Sequence, residues 1–120
     1  MHFMSPKNLL NKYPVLKSFI EKFISKDIKG ISKVIAFGSA AVGAASAMSD
    51  IDIIVLSKSE DATVKNAVRK IAYMAMEEDG FTRLISLHFM EESRFAMLLS
   101  AGYTFEEEIE SEGVPLWQAV

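Results

Sequence analysis

Val34-Ile35-Ala36-Phe37-Gly38-Ser39 is an apolar run closed by a Gly-Ser pair, and twelve residues after Gly38 comes Asp50, in the run Ser49-Asp50-Ile51-Asp52-Ile53-Ile54-Val55 with its two carboxylates. Side chains alternate between the faces of a β-strand, so Asp50 and Asp52 project to one side and Ile51 and Ile53 to the other. At ~3.3 Å rise per residue the two aspartates stand roughly 6.6 Å apart. Their repulsion is then ~0.6 kcal/mol in a water-like medium and ~2.5 kcal/mol at an effective dielectric of about 20. A divalent cation offsets that repulsion, and Mg²⁺ favours one or two carboxylates with waters and substrate phosphates over a closed protein cage. Gly38 allows the backbone to turn sharply and approach a ligand, while successive loop N–H groups and the Ser39 hydroxyl can cradle a phosphate.

Gly38-Ser39-Ala40-Ala41-Val42-Gly43 followed by Ser49-Asp50-Ile51-Asp52 resembles the signature of the polymerase-β-like nucleotidyltransferases, and in length the chain is similar to their minimal (MNT-type) members. The match joins Gly-Ser after a strand, a second glycine five residues after the first, and Asp-x-Asp on the next strand, in that order. The resemblance implies an α/β (α+β) nucleotidyltransferase fold, a small mixed β-sheet with helices packed mainly on one face. It implies transfer of a nucleoside monophosphate from a triphosphate, expected to be ATP, with pyrophosphate leaving. On this resemblance Gly38, Ser39, Gly43 and Ser49 bind the nucleotide, and Asp50 and Asp52 hold Mg²⁺ and are catalytic. Minimal members lack the extra domains that grip an acceptor. The resemblance therefore points to a HEPN-type helical toxin as partner, with a protein hydroxyl as acceptor and this chain as antitoxin.

Two positions depart from the family pattern. Minimal members usually carry arginine immediately before the second glycine, where this chain has Val42, so a cation able to meet phosphate or fix the loop is expected to be missing. They also usually supply a third carboxylate from the strand expected at Phe81–Met90, and that stretch contains neither Asp nor Glu. In the family this carboxylate is taken to help deprotonate the acceptor and to ligate the metal. Aligned on the strand, Ser86 falls at the degenerate third position, with His88 next on the same face. Neutral imidazole can serve as a base or a ligand, although a lone strand histidine is more often structural. Two functions from different classes follow. One is a Mg²⁺-dependent nucleotidyltransferase, favoured by the intact aspartate pair. The alternative is a catalytically degenerate binding module of the same fold that acts on a partner by contact, favoured by Val42 and the missing carboxylate.

Length and composition fit one domain spanning residues 1–120, since a chain of 120 residues buries about two thirds of its unfolded surface. There are no cysteines, which excludes disulfides and thiolate metal sites. No apolar run approaches the ~20 residues of a membrane span, and the start lacks the regions of a signal peptide, so a cytoplasmic protein is expected. Seven lysines fall in the first 33 residues, and seven glutamates lie between Glu91 and Glu112. The lysines mostly fall on the polar face of an amphipathic helix with no aromatic stacking platform among them, so a nucleic-acid partner is not expected. Seven methionines, Met74, Met76 and Met97 among them, are read as fillers of core gaps.

Apolar spacing predicts a helix over Pro14–Lys26 ended near Gly30, strands at Val34–Phe37 and Ile51–Leu56, and a turn or short helix between them. A helix over Ala62–Asp79, capped by Asp61 and stopped by Gly80, precedes the alternating strand Phe81–Met90. Glu91–Ser100 reads as a helix. Thr104 and Glu107 form a capping-box pattern opening a last helix closed by Gly113. Val114-Pro115-Leu116-Trp117 is expected to be an extended tail that docks Trp117 on the core.

Overall fold

The computed structural model describes residues 4–120. Its elements run α1 (Pro6–Lys12), α2 (Pro14–Lys26), β1 (Ile31–Phe37), β2 (Ile51–Ser57), α3 (Ala62–Glu78), β3 (Ile85–Glu91), α4 (Glu92–Ser100), α5 (Thr104–Glu112) and β4 (Val114–Gln118). The strands form one sheet in the order β3-β2-β1-β4, with β2 and β3 parallel and the other two pairs antiparallel. This is the small mixed sheet that the sequence predicts.

Strand alternation sorts the apolar residues into two layers. Val34, Ala36, Ile51, Ile53 and Val55 face α1, α2 and α3, where they meet Leu9, Leu16, Phe19, Phe23, Val68 and Ala75 in the main core. Ile35, Ile54 and Leu56 face the other way and meet Phe95 of α4 and Ile109 of α5 in a smaller cluster. Most helical mass thus lies on one face, while α4 and α5 cover part of the second. Burying a phenylalanine such as Phe19 stabilises by about 1.5–3 kcal/mol, so the three-helix layer dominates. Lys22 joins α2 to α3 by a 2.6 Å contact with Glu78, and its hydrogen bond and charge hold that carboxyl below the usual carboxylate range.

Asp61 caps α3 as expected, its carboxylate accepting from Thr63 N at 2.9 Å and Val64 N at 3.3 Å. Asp61→Ala should cost about 1 kcal/mol in urea unfolding, the usual worth of such a cap. A loss below a few tenths would mean that packing alone sets the start of α3.

Several boundaries differ from expectation for local reasons. Ser5 and Pro6 start an unexpected helix, α1, through a Ser5 Oγ cap on Asn8 N and proline at its first turn. Asp27, at φ +50, ends α2 before Gly30 is reached. β3 begins at Ile85 and not at Phe81, because Gly80 and Phe81 both take positive φ in a turn that Thr82 closes onto the Asp79 carboxylate. Glu91 ends β3 instead of opening α4. Tyr103 stands at the N-cap of α5 with no side-chain cap bond, so the Thr104/Glu107 capping box does not form. The expected tail is a strand: β4 pairs with β1 through Val34↔Trp117 and Ala36↔Val114. Trp117 does dock on the core, edge-on to Phe23 at 5.0 Å between ring centroids. Met74 and Met97 are half-exposed or more, whereas Met76 packs on the core.

Candidate active site

The β1–β2 ladder pairs Phe37 with Asp52, which places Gly38 directly beside that aspartate. Gly38 has φ +76, and a Cβ built there would lie 2.6 Å from Asp52 Oδ2. The position thus requires glycine twice, for its backbone conformation and for the space it leaves to the carboxylate. On the other side β2 pairs with β3 in parallel register, Asp52↔Ser86 and Ile54↔His88. Phe37, Asp52, Ser86 and His88 therefore share one sheet face, while Leu87 and Phe89 pack into the main core behind it.

His88 lies in an aromatic corner. Its ring is 5.1 Å from Phe37 and 6.3 Å from Phe105 of α5, and Phe105 stands perpendicular to Phe37 at 5.5 Å. His88 Nε2 is 3.6 Å from Asp52 Oδ1, beyond hydrogen-bond length. The Asp52 side chain is 33% exposed. Asp50 immediately precedes β2 and is exposed. Among the described residues no three His, Asp or Glu side chains form a metal cage. An open arrangement of this kind suits a cation completed by phosphate and water.

The connection between β1 and β2 is a series of tight turns. Ala41, Gly43 and Ala44 donate their N–H groups to the carbonyls of Gly38, Ala40 and Ser39 at 3.1, 3.3 and 2.8 Å. The N–H groups of Ser39, Ala40 and Val42 have no backbone acceptor among the described residues. The N–H groups of Gly38 and Ala45 likewise have no backbone acceptor there. Gly43 is exposed at φ +74. The Ser49 hydroxyl lies 3.0 Å from both Ser46 N and Ser46 Oγ, so it braces its own loop.

The expectation that the loop lacks a fixing cation needs correction. Arg83 Nη1 donates to the carbonyls of Ser46 at 3.0 Å and Ser49 at 2.6 Å, while its guanidinium lies 4.9 Å from the Tyr13 ring centroid. A cation held at both ends secures the backbone just before Asp50. Sequence reasoning placed Arg83 inside a strand and so missed it. The signal was Gly80, which could have been read as opening a turn that frees Arg83 from the ladder.

A nucleotidyltransferase domain family model matches residues 16–110, and the chain belongs to that family. Among solved structures, a toxin–antitoxin with AMP-PNP is 24% identical at a TM-score of 0.54, covering 84% of this chain and 72% of that one. The toxin–antitoxin MntA–HepT is 19% identical at a TM-score of 0.50, covering 89% and 74%. A candidate nucleotidyltransferase from Sulfolobus solfataricus is 16% identical at a TM-score of 0.53, covering 98% and 90%. At these identities the likeness concerns the fold. No curated protein matches the chain significantly. Among the described residues no helix is long and apolar enough to cross a membrane.

Proposed function

We propose that residues 1–120 form a single domain that transfers a nucleoside monophosphate from ATP to a protein hydroxyl, using Mg²⁺, in the cytoplasm. The observation that carries this reading is the close approach of Gly38 to Asp52, which sets a tight turn with free N–H groups against a carboxylate. Gly38 and the free N–H groups of Ser39, Ala40 and Val42 would receive the triphosphate, with the Ser39 hydroxyl as a further donor. Gly43 turns the loop back, and Ser49 with Arg83 holds its far end. Asp50 and Asp52 would hold the cation, which when bound neutralises phosphate charge and polarises the phosphoryl group under attack. The open face of β3, with Ser86 opposite Asp52, leaves room for an acceptor hydroxyl.

Partnership with a HEPN-type toxin, this chain being the antitoxin, is supported by the fold it shares with the MntA–HepT toxin–antitoxin and by the exposure of Tyr73 and Met74 on α3. Calorimetry with ATP tests the site. The wild type with Mg²⁺ should bind at least about tenfold more tightly than the wild type in EDTA or the Asp50→Asn/Asp52→Asn variant, because without the cation carboxylate and phosphate repel. Equal affinity in every condition would remove the metal site from the proposal. Mass spectrometry of the co-expressed partner should then show addition of one nucleoside monophosphate.

Ser86, which pairs with Asp52 where a carboxylate is expected from the resemblance, favours a second reading, a binding module that has lost catalysis. Ser86→Asp separates the two. In a weak enzyme the added carboxylate should raise transfer by something on the order of 10²-fold, the low end for a general base. If neither Ser86→Asp nor the wild type ever modifies a partner that it nonetheless binds, the module reading holds.

A further inference from the structure

His88 Nε2 is buried and has no hydrogen-bond partner. A buried polar atom left unpaired is costly, so a group that engages it when bound gains affinity. Phe37 and Phe105 flank the ring at 5.1 and 6.3 Å, while the side chain as a whole is 42% exposed. Asp52 sits between the Gly38 turn and His88. Its Oδ2 lies against Gly38, which leaves Oδ1 as the oxygen facing Nε2 at 3.6 Å. Two donor atoms bound to one divalent ion at ~2.1 Å stand about 3.0–3.4 Å apart, so a small side-chain adjustment brings this pair onto a common cation.

We propose that Asp52 and His88 form a mixed carboxylate–imidazole site that binds first-row transition cations such as Mn²⁺ in preference to Mg²⁺. The inference rests on the reading of Asp52 as a metal ligand and adds to it a nitrogen donor and a selectivity. Mg²⁺ takes oxygen donors and gives up its water reluctantly, whereas transition cations accept imidazole nitrogen alongside carboxylate and phosphate oxygen. An acidic third ligand would serve both kinds of ion. With Ser86 at that register position and His88 two residues further along, the available strong donor is nitrogen, and the preference shifts accordingly.

The full chain with Mn²⁺ alone, without nucleotide, provides the test. Calorimetric competition should show Mn²⁺ bound at least about tenfold more tightly than Mg²⁺, and His88→Gln should remove about that factor for Mn²⁺ while changing Mg²⁺ less than about twofold. Pulsed electron paramagnetic resonance on the Mn²⁺ complex should show a nitrogen coupling that changes on ¹⁵N-histidine labelling and vanishes in His88→Gln. His88→Phe, which preserves the aromatic packing, should behave like His88→Gln and guards against a folding artefact. Mn²⁺ binding that needs Asp52 but shows no nitrogen coupling would overturn this inference alone, and is also the result if a protonated His88 merely ion-pairs with Asp52. Absence of any Asp52-dependent Mn²⁺ binding would overturn both the inference and the metal reading beneath it. A coupling that persists in both His88 variants would assign the nitrogen to another residue and overturn the inference as well.

Discussion

Gly38→Ala should reduce nucleotidyl transfer by about 10²-fold or more, the loss expected when a reacting group is displaced by roughly 1 Å. The added Cβ would sit 2.6 Å from Asp52 Oδ2, and the carboxylate, as the end of a side chain, moves more readily than the backbone. It must move away from the β1–β2 turn. Holding alanine at φ +76 should also cost about 1–2 kcal/mol of stability. Gly30→Ala separates the two effects. Gly30 has φ +86 with open space around its missing Cβ, so it reproduces the backbone penalty without the contact. Transfer assays and urea melts on both variants should show similar destabilisation but a loss of transfer confined to Gly38→Ala. Equal activity in the two would show that the Gly38–Asp52 contact does not position the site.

Gly113→Ala should destabilise the protein by about 3 kcal/mol, the upper end for forcing extra volume into a packed interior. Its backbone at φ −70 and ψ 151 is ordinary, so the penalty is one of space and not of conformation. The new methyl would collide with the Ile109 carbonyl oxygen and lie 2.8 Å from Ile35 Cγ2. Neither neighbour can yield cheaply. The carbonyl belongs to the last turn of α5 and accepts from Gly113 N, and Ile35 is part of the smaller core cluster. A fall of roughly 10–15 °C in melting temperature corresponds to that loss for a domain of this size. A change under about 1 kcal/mol would mean that α5 and β4 reposition freely around this corner.

The site was legible in the sequence where chemistry is encoded in adjacent residues. Gly38 follows an apolar run and Asp52 alternates within one, so periodicity marks the two strands, and their antiparallel pairing then sets Gly38 beside Asp52. Helices α2 and α3 were equally legible, because each repeats its apolar residues on one face and has a clear start. Three features depended on distant partners and were not. Arg83 acts through carbonyls more than thirty residues before it, which no local pattern reveals. Val114–Gln118 becomes a strand only because β1 offers it an unpaired edge, and Pro115 within it argues against a central strand from sequence alone. The approach of His88 to Asp52 depends on the parallel β2–β3 register, and the flanking Phe105 comes from α5, so neither shows in any local pattern.

The place of β4 in the sheet also bears on how the chain is born. β1 leaves the ribosome well before one of its two neighbours, β4, from which three helices and two strands separate it in the chain. During synthesis β1 can pair with β2 while its other side, with Val34 and Ala36 already committed to the core, stays open as a strand edge until Val114–Gln118 emerges. Such an edge is a template for pairing with other chains, and contacts so far apart in sequence form slowly. A nascent chain halted before Val114 should therefore cross-link to its neighbours on a polysome, and release of the remaining residues should quench that reactivity.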